Sequence, residues 1–288
     1  MHLIPLSLPR RLDIAATSIA SAAPALPLTA LAGRHVVIEA LIDGAEVELS
    51  FDTGGQQKLS AGGRALAGGF GDRPFIPMKV WAMAHEHRLF AALQDHLELH
   101  GVWSYAMRRV WYDSLPHYFH ATEVLDRGTN RCWSTARRHA LLEGTPVLCA
   151  PVLYAGPMPT QPQWLESLLR RPVARTAGWR RAFEAAALRD ALPMALWASR
   201  CPPAQASVSL IVKVEDERHV LARFRLVNAE EDDTTTSMPV LLPNALAPGA
   251  DLFAAKPAVD WRDLGLKPLR GLGALKTLSV EALEQRCA

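Results

Sequence analysis

Lysine is the first residue type to count. A side-chain amine attacks phosphorus or a carbonyl carbon only where a lysine is placed to do so. The 288-residue chain has 31 basic residues, and six of them are lysines: Lys58, Lys79, Lys213, Lys256, Lys267 and Lys276. Amine chemistry has these positions to draw on and no others. Cys132, Cys149, Cys201 and Cys287 form no C-x-x-C pair, so no structural zinc site is expected. His85-Glu86-His87 lacks the H-E-x-x-H spacing. Its two imidazoles point to different sides of a helix, which suits a solvated face rather than a metal site. His117 and His120 flank Tyr118-Phe119 and read as part of a strand or turn surface. There is no Walker loop and no G-x-S-x-G elbow. Gly271-Leu-Gly-Ala-Leu-Lys lacks the third glycine and a preceding strand.

The elements that must carry such residues follow from composition and pattern. The chain is 49% hydrophobic and 21% charged, a globular composition. Its net charge of +2 gives no overall basic field for nucleic acid. No apolar run approaches the roughly 18 residues of a membrane span. Four thiols in a chain of this length make no disulfide framework, which implies reduced cysteines and a cytoplasmic location. Residues 10–31 run from Arg10-Arg11 through an Ala/Leu/Pro stretch and resemble an export leader, but Asp13 interrupts them, and a loose intracellular segment is expected.

Residues 45–51 alternate, with Val47, Leu49 and Phe51 on one face and Glu46, Glu48 and Ser50 on the other. Asp43-Gly44 lies between this run and 35–41, which predicts a β-hairpin. The glycine-rich stretch 58–71 reads as a loop. Helical spacing covers 76–98, 134–143 (Ser134 as N-cap), 163–171 and 177–198. Strand-like runs cover 103–112, 118–125 and 147–154, and an alternating pair spans 208–227. Residues 229–237 form an acidic loop, 239–248 an irregular return, and the chain from about 255 is expected to be peripheral. Strand pairs mixed with helices, without regular βαβ alternation, predict an α+β fold with antiparallel sheet.

Several segments, in order, resemble the ATP-dependent RNA ligase family of covalent nucleotidyltransferases. Leu31-Ala-Gly-Arg-His-Val-Val-Ile-Glu-Ala-Leu-Ile-Asp-Gly-Ala is similar to the strand and turn that carry the K-x-D-G motif. Trp111-Tyr-Asp-Ser-Leu-Pro-His-Tyr-Phe and Ala150-Pro-Val-Leu-Tyr-Ala-Gly-Pro resemble segments around the third motif and before the helical region. Val212-Lys-Val-Glu-Asp with Ala222-Arg-Phe-Arg-Leu-Val resembles the fourth and fifth motifs, and Leu242-Pro-Asn-Ala-Leu-Ala-Pro-Gly-Ala-Asp-Leu-Phe the ending. The resemblance covers residues 25–253. It implies an N-terminal segment 1–24, a ligase-type nucleotidyltransferase domain with antiparallel sheets around a central cleft at 25–253, and a C-terminal tail at 254–288.

The resemblance also implies a chemistry: a lysine attacks the α-phosphate of ATP, and AMP then passes to an RNA 5′-phosphate. Leu41 occupies the position of that lysine, and a leucine has no lone pair with which to form a phosphoramidate. Val102 and Val208 occupy the positions of two glutamates, Ser60-Ala61-Gly62 stands where Ser-Arg-Gly is usual, and the adenine-stacking aromatic falls near Thr122. Asp43, Gly44, Lys213, Arg223 and Arg225 retain the pattern and are candidates for nucleotide or phosphate binding. Lys213, Arg223 and Arg225 share a strand face if the turn between their strands holds an odd number of residues. The expectation is an RNA ligase-like protein without ligase chemistry that binds RNA, nucleotide or a protein partner. The alternative is an active ligase with relocated groups, for which ATP and Mg²⁺ would be the cofactors.

Overall fold

The computed structural model describes residues 2–9, 25–68, 70–159, 161–169, 171–192, 209–227 and 242–266. In chain order its strands are β1 (His2–Leu6), β2 (His35–Leu41), β3 (Ala45–Phe51), β4 (Gln57–Ala61), β5 (Arg64–Ala65), β6 (Leu97–Trp103), β7 (Phe119–Asp126), β8 (Arg131–Cys132), β9 (Leu148–Cys149), β10 (Val152–Pro157), β11 (Ser209–Glu215) and β12 (Val220–Val227). The α-helices are α1 (Ile76–Ala84), α2 (Glu86–Leu93), α3 (Thr135–Leu142), α4 (Pro162–Leu169) and α5 (Trp179–Arg189). One sheet has the order β1-β12-β11-β2-β10, and the other β5-β4-β3-β6-β7-β8 with β9 added parallel to β7. All other pairings are antiparallel.

Each sheet buries one apolar face on its outer side. In the first sheet Val36, Ile38 and Ala40 of β2, Leu210, Val212 and Val214 of β11, and Phe224 and Leu226 of β12 pack with Leu165, Leu168 and Leu169 of α4. In the second, Val47, Leu49 and Phe51 of β3 and Leu97, Leu99 and Trp103 of β6 pack with Met78 and Trp81 of α1 and Leu89 and Leu93 of α2. Period-two alternation therefore sends the polar residues of both sheets to the remaining faces.

The Asp43-Gly44 pair is not a hairpin turn. Strand β2 lies between β11 and β10, whereas β3 lies between β4 and β6 in the other sheet, so Ile42–Gly44 is the corner at which the chain changes sheets. A two-residue hairpin of that type needs positive φ at both turn residues, and Gly44 has none. The tight hairpin falls instead at Gly62-Gly63, with φ of +55° and +75°, inside the stretch expected to be a loop. The 76–98 helix breaks at His85, and its last residues open β6. Ser134 precedes α3 without capping it; the Glu215 carboxylate accepts the Thr135 N–H at 3.0 Å and does that work. The described part of the N-terminal segment contributes β1, and the described part of the tail is not peripheral: Trp261 and Leu266 are buried in the core of the first sheet. The acidic loop at 229–237 and the end of the 177–198 helix lie outside the described residues. No described helix is long and apolar enough to cross a membrane.

Candidate functional site

The registers place one row of side chains on the inner face of the first sheet. Leu41 stands opposite Ser209, Glu39 opposite Ile211 and then Arg225, and Val37 opposite Lys213 and then Arg223. The 216–219 turn holds four residues, an even number that would separate the three cations. A bulge restores the parity: Val214 pairs with Ala222 while Glu215 pairs with Val220, leaving Leu221 as the extra residue. The inner face of the second sheet carries Glu46, Glu48, Ser50, Glu98, His100 and Val102. A second bulge, between His100 and Gly101, turns both His120 and Glu123 of β7 inward and leaves Thr122 out of the ladder. The two polar faces meet through these residues.

At their meeting point Lys213 is enclosed. Its ammonium donates to Thr122 O at 2.6 Å and forms ion pairs with Glu39 Oε2 at 2.7 Å and Glu123 Oε1 at 2.9 Å. The Arg138 guanidinium reaches in from α3 to Glu39 and to the same Thr122 carbonyl. Glu39, Glu123, Arg138 and Lys213 are each at most 2% exposed. Two carboxylates and two cations balance, which is the condition for burying charge at all. Burial pushes the Glu39 carboxyl upward, but Arg138 and Lys213 outweigh it and hold the pKa below its ordinary value. Arg223 lies at the rim, 3.8 Å from Glu123, with its Nε on the Ser7 carbonyl. Arg225 donates to Ser209 Oγ at 3.0 Å.

Asp43 has a local task. Its carboxylate accepts the Arg109 N–H at 2.6 Å and the Val110 N–H at 2.8 Å, and its own N–H donates to the Tyr112 hydroxyl. Gly44 is packed so closely that a Cβ there would lie 2.5 Å from a Val102 methyl and 2.7 Å from the Trp103 carbonyl. Leu41 and Val102 therefore both adjoin the sheet-changing corner, one by sequence and one by contact. Val208 lies outside the described residues, next to Ser209, the partner of Leu41. Of the retained positions, the fold brings Lys213 and Arg223 together and keeps Asp43 and Gly44 apart at the corner.

Sequence reading missed Glu39, Glu123 and Arg138. A single glutamate inside the apolar run Val36-Val37-Ile38-Glu39-Ala40-Leu41 was the available signal, since a charge buried mid-strand requires a partner. Elsewhere in the fold Lys58 pairs with Asp52 at 3.2 Å and Lys79 with Asp72 at 2.9 Å. Among the described residues no group of three or more His, Cys, Asp or Glu is arranged to hold a metal ion.

A search of the curated proteins gives no match. Among solved structures, the chain is similar to Naegleria gruberi RNA ligase with PPi, at 10% identity and a TM-score of 0.44, over 70% of this chain and 51% of that one. It is also similar to an archaeal ATP-dependent RNA ligase, at 17% identity and a TM-score of 0.40, over 68% of this chain and 44% of that one. The chain thus spans about half the length of the solved ligases it matches. The RNA ligase family model matches residues 34–185, from the first residue before β2 into α5, which takes in the sheet-changing corner and the carboxylates and guanidinium that enclose Lys213. On that match, over more than half of its length, the chain belongs to the RNA ligase family.

Proposed function

We propose that this RNA ligase-family protein does not form a lysyl-AMP intermediate and acts as a binding subunit for RNA or for a protein partner. The observation that carries the proposal is the pairing of Leu41 with an occupied Lys213. Position 41 matches the nucleophile of K-x-D-G and holds an aliphatic side chain. The lysine on the same sheet face is bonded to the Thr122 carbonyl and ion-paired with Glu39 and Glu123, with 1% of its side chain exposed. A nucleophilic amine needs a free lone pair and a path to the α-phosphate, and an ammonium held in this cage has neither. Val102 puts methyl groups where an oxygen ligand would serve a metal-bound nucleotide, and Mg²⁺ takes oxygen ligands. The residues present thus do not fit ATP with Mg²⁺ in the manner of an active ligase, and no catalytic step is assigned. Cys132 and Cys149 are buried and form no disulfide with each other, in keeping with a cytoplasmic location.

Incubating the full-length protein with α-labelled ATP and Mg²⁺, followed by denaturing electrophoresis, tests the proposal. The expected result is no label on the protein band. A labelled band that survives denaturation and is released by acid, as a phosphoramidate is, would overturn it.

A further inference from the structure

Lys213 and Arg138 are consumed by the protein's own carboxylates, so RNA binding, on which the proposed function rests, needs further cations. They are present beside α5. Residues 171–183 include Arg171, Arg175, Arg180 and Arg181 and no Asp or Glu, in a chain whose net charge is only +2. Two of these guanidiniums lie against one indole at the start of α5: Arg175 is 4.0 Å and Arg180 5.5 Å from the Trp179 ring centre. The arrangement is fixed from below. Arg175 Nε donates to the Trp111 carbonyl at 2.9 Å, Thr176 N–H donates to Asp113, and Trp111 packs on the buried Phe183 ring at 5.5 Å. Arg180 and Arg181 are exposed on the first turn of α5.

From this we infer that the Arg175–Trp179–Arg180–Arg181 surface is a docking site for single-stranded RNA, held through its phosphates. The inference rests on the RNA-binding part of the proposed function and is independent of whether the protein self-adenylylates. Three features favour a nucleic-acid strand. Every cation in the patch is arginine, whose planar fork matches two phosphate oxygens, unlike the point charge of lysine. Guanidiniums laid against an indole offer flat surfaces on which unpaired bases stack. The exposed positions beside the arginines, Thr176, Ala177, Gly178 and Ala182, are small, and the half-buried Trp179 ring lies against the Arg175 and Arg180 guanidiniums, which leaves the patch polar.

The test is fluorescence anisotropy of a labelled 15-nucleotide single-stranded RNA across a salt series. It compares the full-length protein, the double variant Arg180→Gln/Arg181→Gln, and a control, Lys58→Gln, on the far edge of the second sheet. Thermal melts establish that each variant is folded. The wild type should bind with an affinity that falls with salt. The double variant should bind about tenfold more weakly and lose about 1.4 from the log–log salt slope, the share of two single-strand phosphate contacts. The control should match the wild type. Wild-type binding that the double variant retains would overturn this location for the site while leaving RNA binding intact. Absence of wild-type RNA binding, or capture by phosphatidylserine vesicles instead, would overturn the RNA assignment itself. Label from α-labelled ATP would bear only on the inactive-ligase proposal.

Discussion

Lys213 shows how one residue's role is set by its neighbours. In a strand it reads as a cation on a polar face; in the folded protein it holds two carboxylates and a bulged carbonyl between the sheets. Removing one partner of a buried pair leaves the others uncompensated, at a cost of about 3–5 kcal/mol, more than the pair contributes over a hydrophobic replacement. Lys213→Ala is therefore expected to lower the free energy of unfolding by that amount in a denaturant titration, and Lys213→Ala combined with Glu123→Gln by less than the sum of the two single changes. Strict additivity would show that the ammonium and the carboxylate do not interact. That position 41 is a leucine was legible in the sequence, because it needs only the identity of one residue. The enclosure of Lys213 was not. Its bond to Thr122 spans 91 positions, and the Arg138–Glu39 contact spans 99.

At the scale of elements, two bulges and one corner position the site. The bulge in the β11–β12 hairpin sets Lys213 and Arg223 side by side, and the bulge at Thr122 frees the carbonyl that Lys213 and Arg138 share. The corner at Ile42–Gly44 is fixed by Asp43 on the 109–110 main chain and by the tight approach of Gly44 to β6. Gly44→Ala would bring a methyl group to 2.7 Å from the Trp103 carbonyl, and a backbone atom cannot turn aside as a side chain can. A loss of about 1–3 kcal/mol is expected, the cost of an overpacked position. A melting temperature equal to that of the wild type would show that the two sheets can separate at this corner without penalty.

Over the whole molecule, the segment from Leu242 to Leu266 ties both sheets together. Asn244 bonds Tyr112 N–H and the Ser104 carbonyl, Leu252 packs on the core of the second sheet, where the Trp81 ring meets both His85 and His117, and the Trp261 ring rests 5.1 Å from His120 while its N–H donates to the Cys149 carbonyl. Three buried histidines thus lie under one strap. Burial lowers the pKa of all three, that of His117 to about 4 from 6.5. A lowered histidine pKa means that the unfolded chain binds more protons than the folded one between those values. Stability is full above about pH 6.5 and is lost as pH falls toward 4, by about 3 kcal/mol for His117 alone. Urea midpoints should be lower at pH 5.0 than at pH 7.5, and His117→Gln should reduce that difference. A midpoint that rises on acidification would contradict the neutral burial of these side chains.

The sequence by itself determined the alternation that gives each sheet one apolar face, the β11–β12 hairpin, most helices, the family skeleton and the absence of an amine at position 41. These depend on periodicity, turn chemistry and residue identity within a few positions of one another. Tertiary structure alone decided that Asp43-Gly44 joins two sheets instead of turning a hairpin. It also decided that Glu39, Glu123 and Arg138 neutralise Lys213, and that Trp261 belongs to the core. The physical reason is the same in each case. A buried charge or a corner is stable only through partners brought from distant parts of the chain, and local propensity carries no record of which partners those are.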